Sequence, residues 1–212
     1  MIFESTKTGE KTMRKLLLVM MMAMMLVSLC ACAASKEPAK APESNHVVIT
    51  FDYTKQSGYA SNQFAVWIED GDGNLVKTLY ATRYTANGGY KNRPDSIPVW
   101  VEKSGLASMQ KVEVDAIAGA TPRTGTLSYT WDLTDANGEK VSPGEYGFFV
   151  EGSLRWKNRV LYSGTISVGR DPVAVQADAE FLYEAADNQP ALSPDSPENG
   201  MIGPVTASFV II

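Results

Sequence analysis

From Val47 to the C-terminus, apolar side chains recur at every second position far more often than at helical spacing. This is the pattern of strands that bury one face. "VVITFDY" (47–53) is a β-branched and aromatic run. In "QFAVWIED" (63–70), Phe64, Val66 and Ile68 share one face, while Ala65, Trp67 and Glu69 share the other. "GDGN" then turns the chain into "LVKTLYATRY", which predicts a hairpin over residues 63–84. "MQKVEVDAI" (109–117) and "GTLSYTWDL" (125–133) read as two more strands. "EYGFFVEGSLRW" and "RVLYSGTISV" form a second hairpin around Lys157-Asn158. "ADAEFLYEAA" (177–186) fits strand or helix, and "GPVTASFVII" (203–212) is a closing strand. About eight strands with short turns and no long amphipathic helix predict an all-β fold, an antiparallel Ig-like β-sandwich. Residues 85–105, "TANGGYKNRPDSIPVWVEKSG", are too long for a hairpin turn. A short helix is expected there near Pro98–Lys103, with Gly105 as its stop. "DNQPALSPDSPENG" (187–200) has the composition of a solvated loop.

The N-terminal segment breaks this pattern. Met13-Arg14-Lys15 precedes "LLLVMMMAMMLVSLCAC", apolar from Leu16 to Leu29 and ending in small residues and cysteine. A positive start and a short apolar run are the form of a secretory signal, and the run falls short of the roughly 20 residues of a membrane span. Residues 1–31 therefore read as a signal peptide, with residues 1–12 as an extension outside the scheme and Met13 as the start that fits it. "LCAC" (29–32) resembles a bacterial lipobox, which implies lipidation at Cys32 and a lipid anchor on the extracytoplasmic face of the cell membrane; simple secretion is the plainer alternative. Residues 32–46 are a Pro/Ala/Lys/Glu-rich tether, a composition that cannot bury a core. The sandwich is expected over 47–170, followed by an acidic C-terminal extension (171–212) with a loop and the closing strand.

Composition narrows the chemistry. Both cysteines, Cys30 and Cys32, lie at the signal boundary, and His46 is the single histidine. Disulfides, His-based triads and His-ligated metals are therefore not expected in the domain, nor is an enzyme. Removing residues 1–31 takes away four Lys/Arg and two Asp/Glu, leaving 15 basic against 22 acidic side chains, a net −7. No Lys or Arg follows Arg170, whereas seven Asp/Glu do. Nucleic acid is not the partner such a chain suggests. Asp70-Gly71-Asp72-Gly73-Asn74 begins like a calcium loop, but Leu75 and Ala81 stand where an EF-hand needs Gly and Glu. A hairpin turn is the expectation there, and no metal site is assigned.

Basic and aromatic residues concentrate in a few loops: Arg83, Tyr84, Tyr90, Lys91, Arg93 and Trp100, then Arg155, Trp156, Lys157 and Arg159. Gathered at one end of the sandwich, with Arg123 nearby, they would suit a phosphate or a planar anion. The plainer reading makes the tryptophans packing residues and pairs the cations with the acidic C-terminal segment. Trp131, Tyr146 and Phe148 are assigned to the core.

"WDLTDANGEKVSPGEYGFFVEG" (131–152) resembles the Ig-like part of the flagellar hook-capping protein FlgD and of many secreted β-sandwiches. "SNQFAVWIEDGDGNLVKTLYATR", "RPDSIPVW", "DAIAGATPRTG", "YTWDLTDANG" and "LRWKNRVLYSG" together resemble domain-of-unknown-function family 2271 of predicted periplasmic proteins, over residues 47 to about 169. That resemblance implies fold and compartment but no activity; members are often linked with extracytoplasmic flavin, iron or redox systems. "DAIAGAT" (115–121) also resembles the acceptor motif of ApbE-type flavin transferases, in which FMN is joined through its phosphate to a threonine hydroxyl. The resemblance puts the acceptor at Thr121, the leading acid at Asp115 and the flexible small residues at Gly119 and Ala120. Ala118 departs from the usual Ser or Thr.

The expected function is a membrane-anchored lipoprotein, a non-catalytic binding or accessory module of the cell envelope, with a small anionic ligand or an envelope redox protein as partner. No cofactor is required by this reading. The alternatives are a redox subunit carrying covalent FMN and a structural envelope protein.

Overall fold

The computed structural model describes residues 44–212. The signal segment, Cys32 and most of the tether lie outside the described residues. Strands β1 (His46–Tyr53), β5 (Gly125–Trp131), β8 (Val173–Gln176) and β10 (Thr206–Val210) form one antiparallel sheet in the order β5-β1-β10-β8. Strands β2 (Gln63–Glu69), β3 (Leu75–Thr82), β4 (Ala118–Gly119), β6 (Gly144–Arg155), β7 (Asn158–Val168) and β9 (Asp178–Leu182) form the other, ordered β4-β3-β2-β6-β7-β9. Only the two-residue β4 runs parallel to its neighbour, β3. The β-sandwich and both hairpins follow the alternation of the sequence. The segment expected as an acidic extension is woven into the sandwich, supplying β8 and β10 to one sheet and β9 to the other.

The core between the sheets takes Phe64, Val66 and Ile68 from β2, with Ile49 and Phe51 of β1, Trp131 of β5, Phe148 and Val150 of β6 and Phe209 of β10. Tyr146 and Trp131 meet edge-to-face at 4.9 Å, and the indole of Trp131 donates to the Thr134 carbonyl at 2.8 Å. Aromatic pairs of this geometry add to the area they bury. Yet every residue of β2 is buried, Ala65 and Trp67 included. Their face of the sheet is covered as well.

The cover is the segment 83–117. It contains short helices at Arg83–Ala86, Pro98–Lys103 and Lys111–Ile117, with 3₁₀ turns at Gly89–Lys91 and Leu106–Ser108. The Pro98–Lys103 helix falls where the sequence predicts it. Ala65, Trp67, Ala81, Ile97, Trp100, Leu106 and Val114 make a second hydrophobic cluster beneath these pieces. Residues 111–117 correct a strand expectation. Val112 and Val114 would share a face of a strand, but Val112 is 75% exposed and Val114 only 8%. Gln110 and Glu113 form a capping box that starts a helix instead, with the Gln110 amide donating to Glu113 Oε2 at 2.6 Å.

Polar side chains of the sheet pin this cover down. Glu151 on β6 is fully buried and accepts the amides of Val99 (3.3 Å) and Trp100 (2.9 Å), with Arg159 Nη1 3.6 Å away. Burial pushes its carboxyl up to about 7, against the pull of those amides and of Arg159. Ser153 Oγ accepts the Ile97 amide at 3.0 Å, and Thr78 Oγ1 accepts the Trp100 indole at 3.1 Å.

Candidate functional site

The chain enters the domain at His46, which pairs with Val210, and the next residue, Val47, pairs with Trp131. β1 finishes at the far end, where Tyr53 lies across from Gly125 and donates to Asn62 Oδ1 at 3.0 Å. Asn62 precedes β2, whose first residue pairs with Ser153 at the end of β6. The loops 54–62, 83–97 and 120–124 and the β6–β7 turn therefore share one end of the sandwich, opposite the entering chain. We call it the distal end.

One guanidinium ties these loops together. Arg93 Nη2 donates to the Ala60 carbonyl and, at 3.2 Å, to the Trp156 carbonyl, while the Trp156 amide donates to Ala60 at 3.1 Å. Desolvation holds the Arg93 pKa below the ordinary arginine value, and its Nε is buried with no partner among the described residues. The loops so joined contain backbone that L-residues rarely adopt: Ala60 at φ 61°, Asn62 at φ 68° and Trp156 at φ 48°. A tryptophan in the left-handed region is a genuine outlier. It places the indole on the exposed turn, 38% accessible. Tyr59 (89%) and Tyr84 (48%) are exposed in the neighbouring loops, and these are all the strongly exposed aromatic side chains among the described residues. The Tyr84 ring lies against Gly89, where a Cβ would collide with it. Trp100, by contrast, is fully buried beneath the helical cover.

The candidate cations have different surroundings. Arg155 pairs with Glu198 (3.1 Å) and Lys157 with Glu184 (2.8 Å), both acids from the C-terminal segment, and Arg159 faces buried Glu151. Arg93 is committed to carbonyls. Arg83 and Arg123 are exposed. Lys91 sits 5.9 Å from the Tyr90 ring centre.

The stretch around Thr121 lies at the same end. Ala118 and Gly119 pair with Ala81 and Thr82 as β4. A Cβ at Gly119 would strike the Tyr80 ring, whose hydroxyl donates to the Ala120 carbonyl at 2.9 Å. Burial pushes Tyr80 up to about 12, with Arg83 pulling the other way. The small residues of this motif thus make room for a tyrosine. Thr121 follows, half-buried, with no hydrogen bond to its hydroxyl among the described residues. Thr124 Oγ1 accepts the Lys55 amide at 3.0 Å. Asp115 is exposed on the Lys111–Ile117 helix, on the far side of β4 in sequence from Thr121.

Near the entering chain, the Asp70 carboxylate accepts the amides of Asp72 (3.0 Å) and Asn74 (2.8 Å) and caps the β2–β3 turn. No cluster of three or more His, Cys, Asp or Glu able to hold a metal occurs among the described residues. No helix among them is long and apolar enough to cross a membrane. A groove of about 570 Å³ runs between β3 and the Lys111–Ile117 helix, walled by Leu75, Leu79, Met109, Val112 and Ile117, with the Lys77–Asp132 pair (2.9 Å) at one side. Sequence reasoning missed Tyr59 and this groove. The "SGYASN" stretch (57–62), a small-residue turn around one tyrosine, was the available signal for the former.

Residues 44–183, well over half the chain, match the family model described as predicted periplasmic protein (DUF2271). No curated protein and no solved structure matches the chain. The chain belongs to the DUF2271 family, whose description suggests a periplasmic location.

Proposed function

We propose that this family member is a non-catalytic binding module of the cell envelope, held by a lipid on Cys32 and presenting its distal end as the recognition surface. The observation that carries the reading is the collection of exposed aromatic side chains at the end opposite the entering chain, on loops joined by Arg93. Apolar rings clustered in the open mark binding surfaces more often than they serve the fold.

The test separates anchor from surface. Cys32→Ala releases the protein from membranes into the exported soluble fraction. That released protein is then mixed with isolated cell envelopes and sedimented. Co-sedimentation is expected, with loss of at least ten-fold in the Tyr84→Ser/Trp156→Ser double variant and none in Val112→Ser on the groove wall. Equal sedimentation of all three removes the distal end from the function.

A second reading is favoured by the Thr121 hydroxyl at the same end, which has no hydrogen-bond partner among the described residues: a redox subunit carrying FMN on that oxygen. On co-expression with a flavin transferase, the Thr121 oxygen displaces AMP from flavin adenine dinucleotide and loses its proton, so the intact mass rises by one FMN less a water, an increase abolished by Thr121→Ala and kept in Ala118→Ser. An unmodified mass, under conditions that load a control substrate, rejects it.

A further inference from the structure

We propose that the distal end is a saccharide platform, on which Tyr84 and Trp156 stack against the C–H faces of uncharged sugar units. The inference rests on the reading of this end as the recognition surface and names its ligand class.

Three observations lead to sugar rather than to an anion. The first is ring presentation. Tyr84 is packed on Gly89, yet the residue remains 48% exposed, so its ring is backed by glycine and open to solvent. A pyranose ring offers a flat array of C–H groups, polarised by neighbouring oxygens, that suits the negative face of an aromatic ring.

The second is preorganisation. The Trp156 backbone is held at φ 48° by its own amide bond to Ala60 and by Arg93 on its carbonyl. Such unfavoured backbone persists only where its surroundings fix it, and it gathers at binding sites. A turn whose backbone is already fixed loses little backbone freedom when a weakly held ligand arrives.

The third is charge. The cations flanking Trp156 in sequence are each bound to an acid of the same molecule, Arg155 to Glu198 and Lys157 to Glu184. Arg93 has both carbonyls on one terminal nitrogen and a buried Nε. An anion placed on this turn would have to compete with two carboxylates already seated. Hydroxyl groups need no such exchange, because the outer lone pairs and N–H groups of seated ion pairs still hydrogen-bond to them.

Tryptophan emission reads the site directly, since Trp67, Trp100 and Trp131 are fully buried and Trp156 is not. Intact mature protein is titrated with N-acetylglucosamine tetrasaccharide, cellotetraose and maltotetraose, and separately with inorganic pyrophosphate. At least one saccharide gives a saturable emission change below about 10 mM, a range typical of weak single-site binding. Tyr84→Ser weakens that binding at least ten-fold while its melting temperature stays that of the parent. Trp156→Phe keeps a ring on the turn and retains binding followed by calorimetry; Trp156→Ser loses it. Absence of any saccharide response overturns the proposal, as does a response that ignores all three variants. If pyrophosphate alone shifts the emission, the sugar assignment falls while the recognition surface stands. If nothing shifts it and the double variant still sediments with envelopes, both fall.

Discussion

The sheet β4-β3-β2-β6-β7-β9 buries hydrophobic side chains on both faces, and it does so in two different ways. Its inner face meets the other sheet through an almost wholly apolar, aromatic-rich core. Its outer face meets a chain of short helices, and there Glu151, Ser153 and Thr78 reach out of the strands to take helix amides and an indole. Sheet packs on sheet mainly through apolar area, with only a few buried tyrosine hydroxyls, such as Tyr53 on Asn62 and Tyr162 on the Ile202 carbonyl, adding hydrogen bonds. Helices of four to seven residues cannot hold themselves together; they need partners for their unpaired terminal amides. The difference shows how a sandwich can carry irregular loops as a rigid layer.

Trp131→Ala is the severest way to test the inner face. Removing a buried indole from a packed core destabilises by about 3–5 kcal/mol, and the melting temperature is expected to fall by roughly 10 °C or more in a domain of this size. Trp100→Ala strikes the outer face. The expected loss is about 3 kcal/mol, at the low end of the same range, because the amide contacts to Glu151 remain. Hydrogen exchange should then show amides of the Pro98–Lys103 helix opening before those of β2 and β6. Simultaneous exchange of helix and strands would make the two faces one cooperative unit.

A change of pH distinguishes the faces further. The Glu151 carboxyl titrates near 7 in the folded protein against an ordinary 4.5, because burial disfavours its charge. The folded state therefore holds a proton that the unfolded chain releases above pH 4.5. Its contribution to stability is complete below that value and is lost as pH rises through 7, a decline on the order of 1–3 kcal/mol. Glu151→Gln should flatten this part of the melting-temperature profile. An unchanged slope would move the titration elsewhere. The smallest effect is expected at Trp156→Gly, which relieves a φ of 48° and removes no core contact. Thermal melting should place it within about 0.5 kcal/mol of the parent, on the stable side.

The inner face was legible because alternation is local: Phe64, Val66 and Ile68 declare their face within five residues. The outer face was not. Ala65 and Trp67 look like the solvent side of an ordinary hairpin until a segment beginning fourteen residues after Glu69 folds back over them. Within that segment the Val112–Val114 spacing imitates a strand, and the capping box at Gln110 outweighs it. At the distal end the sequence did point to the loops that carry Arg93 and Trp156. It could not say which arginines would be claimed by Glu198 and Glu151, since those pairs span 43 and eight positions of chain.

The brevity of β4 has a consequence for crowding. It pairs only with Ala81 and Thr82, so among the described residues β3 from Leu75 to Leu79 has no strand alongside it on that border of the sheet. Such borders invite strands from neighbouring molecules, the first step toward aggregates. Lys77 stands in the middle of the stretch, held upright by Asp132, while the Lys111–Ile117 helix closes the other side of the groove. A charge inside a β-template and a helix beside it are the devices by which natural sheets stay apart at high local concentration.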